Sequence, residues 1–129
     1  MKQIKRLLLV FLALLFPLFA YAVAVGDVYT QEKLDGLNKT GKPALVFIYA
    51  DWCPTCKAQG KILNELLPEK EFSGITILNV DFDMQKPVVR GLNAKFQSTL
   101  IVFKGGKEVG RVTAETSRDR IAELLRKAL

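Results

Sequence analysis

Ala44-Leu45-Val46-Phe47-Ile48-Tyr49-Ala50-Asp51-Trp52-Cys53-Pro54-Thr55-Cys56 is the stretch on which the fold turns. Its first six residues are apolar without alternation. A run of that length and evenness fits a central parallel strand covered on both faces. Two cysteines, three positions apart, follow where the strand pattern gives way to a helical one. Pro54 suits the first helical turn, where its missing N–H is not needed. Beyond the cysteines, Ala58, Ile62, Leu63, Leu66 and Leu67 recur at helical spacing until Pro68 stops the pattern.

The rest of the body extends this alternation. Upstream, Gln31 to Lys39 reads as a short helix with Leu34 and Leu37 on one face, broken by Gly41-Lys42-Pro43. Downstream, Ile75 to Val80 reads as a second strand. Asp83 is placed to cap a third helix, with Pro87 near its start and Val88, Leu92 and Phe96 inward. Thr99 to Phe103 and Glu108 to Thr113 form two strands joined by Lys104-Gly105-Gly106-Lys107, a hairpin signal. Thr116 or Ser117 caps a last helix with Ile121, Leu124 and Leu125 inward. The order α-β-α-β-α-β-β-α implies an α/β domain: a central mixed four-stranded sheet flanked by helices.

The N-terminus reads as an address. Lys2, Lys5 and Arg6 precede an apolar run from Leu7 to Phe19, and Ala20-Tyr21-Ala22 supplies small residues where signal peptidase needs them. Residues 1–22 are therefore expected to be a cleaved signal peptide, leaving a domain of residues 23–129 that begins at Val23. The rival is an uncleaved anchor, since Leu7 to Val25 is just long enough to span a bilayer. Both readings export the body to the periplasm, and the second tethers it to the inner membrane.

The formal charge of +6 belongs largely to that address. Without Lys2, Lys5 and Arg6 the 19 basic residues fall to 16, against 13 acidic, a net of +3 of mixed sign. Such a surface points to ordinary solvation and away from nucleic acid. The chain has no histidine. That excludes imidazole metal ligands, His general bases and Cys–His nucleophile pairs.

What remains is the chemistry of two cysteines. At a helix N-terminus the backbone N–H groups and the dipole favour an anion. Cys53 should therefore form a thiolate readily, its pKa falling from about 8.5 toward 7. Cys53 is read as the exposed nucleophile of disulfide exchange and Cys56, one turn inside, as the buried resolving thiol. Trp52 would flank the sulfurs with a flat apolar surface for a substrate polypeptide. A purely structural disulfide would close too short a loop to stabilise much. A zinc site needs about four ligands, and two cysteines do not supply them.

Several local matches go further. Tyr49-Ala50-Asp51-Trp52-Cys53 with Cys56-Lys57, Asn79-Val80-Asp81, and Thr99-Leu100-Ile101-Val102-Phe103-Lys104-Gly105-Gly106 resemble the thioredoxin superfamily, and the likeness runs through residues 31–129. The first of them looks like the C-terminal thioredoxin-like domain of the periplasmic thiol:disulfide interchange protein DsbD. The resemblance implies a thioredoxin fold and protein disulfides as substrates; a monomer without cofactor or metal is expected. It also implies a membrane electron donor of the DsbD type in trans.

The chain departs from that family in three places. Phe47 stands where thioredoxins bury an Asp, and Ile77 where its lysine partner lies. The dipeptide between the cysteines is Pro54-Thr55. Ser98 aligns with the cis-proline that faces the cysteines. A cis bond at a non-proline residue costs about 2.5–4 kcal/mol, a large share of the 5–15 kcal/mol that holds a small domain together. The Gln97–Ser98 bond is therefore expected to be trans and the loop shifted. Ser98 would bring a hydroxyl to the thiolate.

Strong oxidants of this fold place a histidine between the cysteines. Thr55 offers at most a weak hydroxyl bond, which leans toward a reductase. The alternative from another class is a binding module that holds a polypeptide, or a soft metal bridged between two chains by their thiolates.

Overall fold

The computed structural model describes residues 26–129. The segment read as a signal peptide or anchor lies outside the described residues. Within them the order is β1 (Asp27–Val28), α1 (Gln31–Lys39), β2 (Ala44–Tyr49), α2 (Pro54–Leu66), β3 (Thr76–Asp81), α3 (Lys86–Gly91), β4 (Thr99–Lys104), β5 (Lys107–Thr113) and α4 (Arg118–Arg126). The sheet runs β1-β3-β2-β4-β5. β1 and β2 lie parallel to β3, whereas β4 is antiparallel to both β2 and β5.

The sheet has five strands, not the four expected. The addition is β1, two exposed residues that pair with Leu78 and Asn79. A two-residue strand carries no periodicity, so only its partner reveals it.

β2 is buried on both faces, as its unbroken apolar run requires. Leu45 and Phe47 point into one core with Leu63 and Leu66 of α2 and Ile121, Leu124 and Leu125 of α4. Ala44, Val46 and Ile48 point into the other, with Leu34 of α1 and Val89 of α3. The period of two along the strand thus assigns alternate residues to opposite helix layers.

The helix starts follow local chemistry. Thr30 caps α1 by accepting from the Lys33 N–H, and Ser117 rather than Thr116 caps α4 by accepting from the Arg120 N–H. Gly105 and Gly106, at φ 56° and 81°, make the tight turn between β4 and β5.

α3 differs from the expectation. It begins after Gln85, and no side chain caps it. Asp83 lies two residues before the N-cap; its carboxylate accepts from Trp52 Nε1 at 2.8 Å and pairs with Lys86 at 3.7 Å. Asp81 Oδ1 organises the preceding turn instead, accepting from the Asp83 and Met84 N–H groups. The helix ends at Gly91, so Phe96 falls outside it and is exposed. Val89 is the residue that α3 buries, whereas Val88 is only half-buried.

Candidate active site

Strand β2 delivers the chain to the site and α2 starts there. Cys53 is the N-cap of α2, and its sulfur accepts from the Cys56 N–H at 3.1 Å. Pro54 occupies the first helical turn. Cys56 lies one turn in. Both thiols are free.

The expectation of an exposed Cys53 is corrected. Cys53 is 2% exposed and Cys56 4%. The reason is the segment before β4: Ser98, itself buried, folds over the helix start with its Oγ 3.6 Å from Cys53 Sγ. Cys56 still lies deeper, with more protein around its sulfur. In this reduced state electrostatics, more than access, separates the two.

The thiols shift in opposite directions. Burial pushes Cys53 up. Hydrogen bonds from the Cys56 thiol, the Ser98 hydroxyl, the Cys56 N–H and the Gln97 amide outweigh it, so Cys53 ends below an ordinary thiol. Burial also pushes Cys56 up, as does its hydrogen bond to Cys53. The Ala50 backbone and Ser98 oppose this without reversing it. Cys53 is the thiol poised to ionise, and Cys56 keeps its proton.

Ser98 has no cis bond before it, for every peptide bond among the described residues is trans. The loop reaches the sulfurs by another device: Ser98 sits at φ 56°, in the left-handed region that a side chain disfavours. Trp52 is 60% exposed beside Cys53, held by its bond to Asp83. Thr55 is half-buried and hydrogen-bonds to neither sulfur.

A surface pocket of about 130 Å³ is lined by Phe47, Tyr49, Ala50, Asp51, Cys56 and Lys57. Phe47 and Ile77 both belong to the apolar core. Burial raises the Tyr49 hydroxyl, with Asp81 and Asp51 adding to it, so Tyr49 supplies no base. Among the described residues no group of three or more His, Cys, Asp and Glu side chains is gathered as a metal would need, and no helix is long and apolar enough to cross a membrane.

Two residues of the site lay outside the sequence reading: Gln97, and Gln59, which is fully buried behind Ser98. The signal for Gln59 was its place in the helical pattern. The buried stripe of α2 is Cys56, Gln59, Leu63 and Leu66, whereas Ala58, read as inward, is exposed.

A strand ending at an N-capping cysteine, with a second thiol one turn on, is the geometry of a thioredoxin dithiol, and residues 27–127 match the Thioredoxin family model. The chain belongs to the thioredoxin family. Thioredoxin of Chlamydia trachomatis serovar D is 34% identical over 101 residues, which cover 78% of this chain and 96% of that one. A Schizosaccharomyces pombe protein named for protein disulfide-isomerase is 30% identical over 127 residues, 98% of this chain; the chain spans about a quarter of that relative's length. The crystal structure of Trxlp from Edwardsiella tarda EIB202 superposes with a TM-score of 0.74 at 34% identity, covering 77% of this chain and 96% of that chain. Thioredoxin-family homologues are thiol-disulfide oxidoreductases, and this chain carries the Cys-x-x-Cys dithiol at the start of α2.

Proposed function

We propose that the protein is an exported reductase of protein disulfides that turns over through Cys53 and Cys56. The observation that carries this reading is the opposite displacement of the two thiols around one helix start. The Cys53 thiolate attacks one sulfur of a substrate disulfide. A mixed disulfide forms, and the other substrate sulfur leaves as a thiolate. Cys56 then attacks Cys53 Sγ, its proton leaving with the departing second substrate thiolate. The substrate gains two electrons and the chain is left with a Cys53–Cys56 disulfide.

Substrate is a polypeptide. Trp52, next to Cys53 in the chain, is a large apolar side chain left exposed, as are Met84, next to the Asp83 that holds Trp52, and Phe96, two residues before Ser98. The spent disulfide is reduced again by a membrane electron donor of the DsbD type, acting in trans. The protein works in the periplasm as a monomer, released by cleavage after Ala22 or tethered by the uncleaved segment. N-terminal sequencing of the envelope form distinguishes a start at Val23 from one at Met1.

Direction is set by the sulfur's surroundings. No histidine lies between the cysteines, and Thr55 leaves the thiolate alone. The expected reduction potential is nearer thioredoxin's, about −270 mV, than DsbA's, about −120 mV. Equilibration with glutathione measures it, and a value above about −180 mV removes the reductase reading.

A further inference from the structure

Gln59 is a carboxamide with no solvent access, set in the stripe of α2 that otherwise buries Cys56, Leu63 and Leu66. Its Nε2 donates to two backbone carbonyls, Ser98 O and Glu115 O, each at 3.0 Å. These partners fix the amide's orientation, because the reverse would set its oxygen against two carbonyl oxygens. The orientation leaves Oε1 buried without a partner. An orphaned acceptor destabilises a fold, so a position that served packing alone would be better filled by leucine or methionine.

The two carbonyls belong to an unusual pair of turns. Ser98 and Ala114 both have left-handed backbones, at φ 56° and 58°. The Ala114 N–H donates to Ser98 O at 2.9 Å, and Glu115 is the next residue. One side-chain amide therefore grips both strained segments from below. Ser98, so held, presents its Oγ to Cys53 Sγ at 3.6 Å.

We propose that Gln59 is a positioning residue: its carboxamide locks the paired left-handed turns at Ser98 and Ala114 so that the Ser98 hydroxyl stays on Cys53 Sγ. In this chain a buried amide on α2 thus orients the loop in which Ser98 takes the place that the family resemblance assigns to a proline. The inference rests on Cys53 being the reacting thiol, as in the proposed function. The sulfur's other neighbours are the Cys56 thiol and N–H from α2 and the Gln97 amide. No charged side chain of β2, α2 or the Ser98 loop contributes to its shift.

The test is a double-mutant cycle on the reduced full chain. The pH dependence of alkylation at Cys53, assigned by mass spectrometry, is followed in the parent, Gln59→Met, Ser98→Ala and the double variant. Gln59→Met keeps the volume and removes both donors. Each single variant should raise the Cys53 pKa by about half a unit, about threefold less thiolate below the pKa. The double variant should move it no further than Ser98→Ala does. An unchanged pKa in Gln59→Met, or additive shifts in the double variant, overturns the proposal. If Gln59→Met does not fold, Gln59→Asn keeps the amide, shortens its reach, and faces the same two outcomes. Reduction of a model protein disulfide by the parent is measured alongside. Its absence would remove the proposed function and leave the pKa result standing.

Discussion

The two sulfurs have surroundings of opposite character. On the core side of Cys56 the chain is apolar: Phe47 and Ile77 pack there, at the two positions where the family resemblance had implied a carboxylate and a lysine. Beside Cys53 it is polar and strained, with Gln59, Ser98 and Gln97 bonding around two left-handed residues. The contrast teaches how one dithiol is split with no Asp, Glu, Lys or Arg contributing to the shift of either thiol. Burial raises Cys56, while hydrogen bonds overcome burial at Cys53.

Restoring a carboxyl beneath Cys56 breaks the contrast most severely. Phe47→Asp loses a core aromatic and sets an acid against the apolar core, so a loss of about 3 kcal/mol is expected. The loss should grow with pH. Such an acid has its folded pKa raised, so stability is present below the unfolded value of about 4 and falls as pH rises through the folded value. Urea unfolding in acidic and alkaline buffer measures both effects. A penalty under about 1 kcal/mol would mean that the space under Cys56 is wet and not apolar.

Ser98→Pro attacks the other side. Proline fixes φ near −65°, far from the 56° that Ser98 adopts. The bonds that Ser98 O accepts from Gln59 and Ala114 cannot both survive the change. A loss of about 2–3 kcal/mol is expected together with a rise in the Cys53 pKa. Unchanged values of both would show that the left-handed turn is incidental.

Alkylation against pH sharpens the comparison directly. Cys53, with its lowered pKa, should be modified first near neutrality, and Cys56 only as pH rises beyond the range of an ordinary thiol. Linkage gives opposite signs in the reduced protein. The Cys53 contribution to stability is present above the unfolded thiol pKa and is lost as pH falls through the folded value. That of Cys56 is present below the unfolded pKa and is lost as pH rises through its own folded value. Earlier labelling of Cys56 would reverse the assignment of roles.

Trp52→Phe should have the smallest effect. It removes the bond to Asp83 at an exposed site, about 0.5–1 kcal/mol, and should leave the Cys53 pKa where it was. A shift as large as that from Ser98→Ala would place Trp52 among the groups that tune the sulfur.

The sequence by itself determined the frame. The unbroken run Ala44–Tyr49 can only be satisfied by burial on both faces, and Cys53-Pro54-Thr55-Cys56 after it can only open a helix, so the dithiol and the layers around it were legible. Local patterns suffice when one segment carries the whole signal. The tertiary structure decided what depends on two segments meeting. β1 exists through its pairing with β3; Asp83, outside the helix start, is bonded by Trp52 from 31 residues earlier; and Cys53 is covered because Ser98 arrives from 45 residues away. Gln59 is the sharpest instance. In sequence it interrupts an apolar stripe, and its purpose appears only where Ser98 and Glu115, 39 and 56 residues further on, bring their carbonyls to its amide. A buried polar group is defined by its partners, and partners distant along the chain are fixed by the fold, not by any local period.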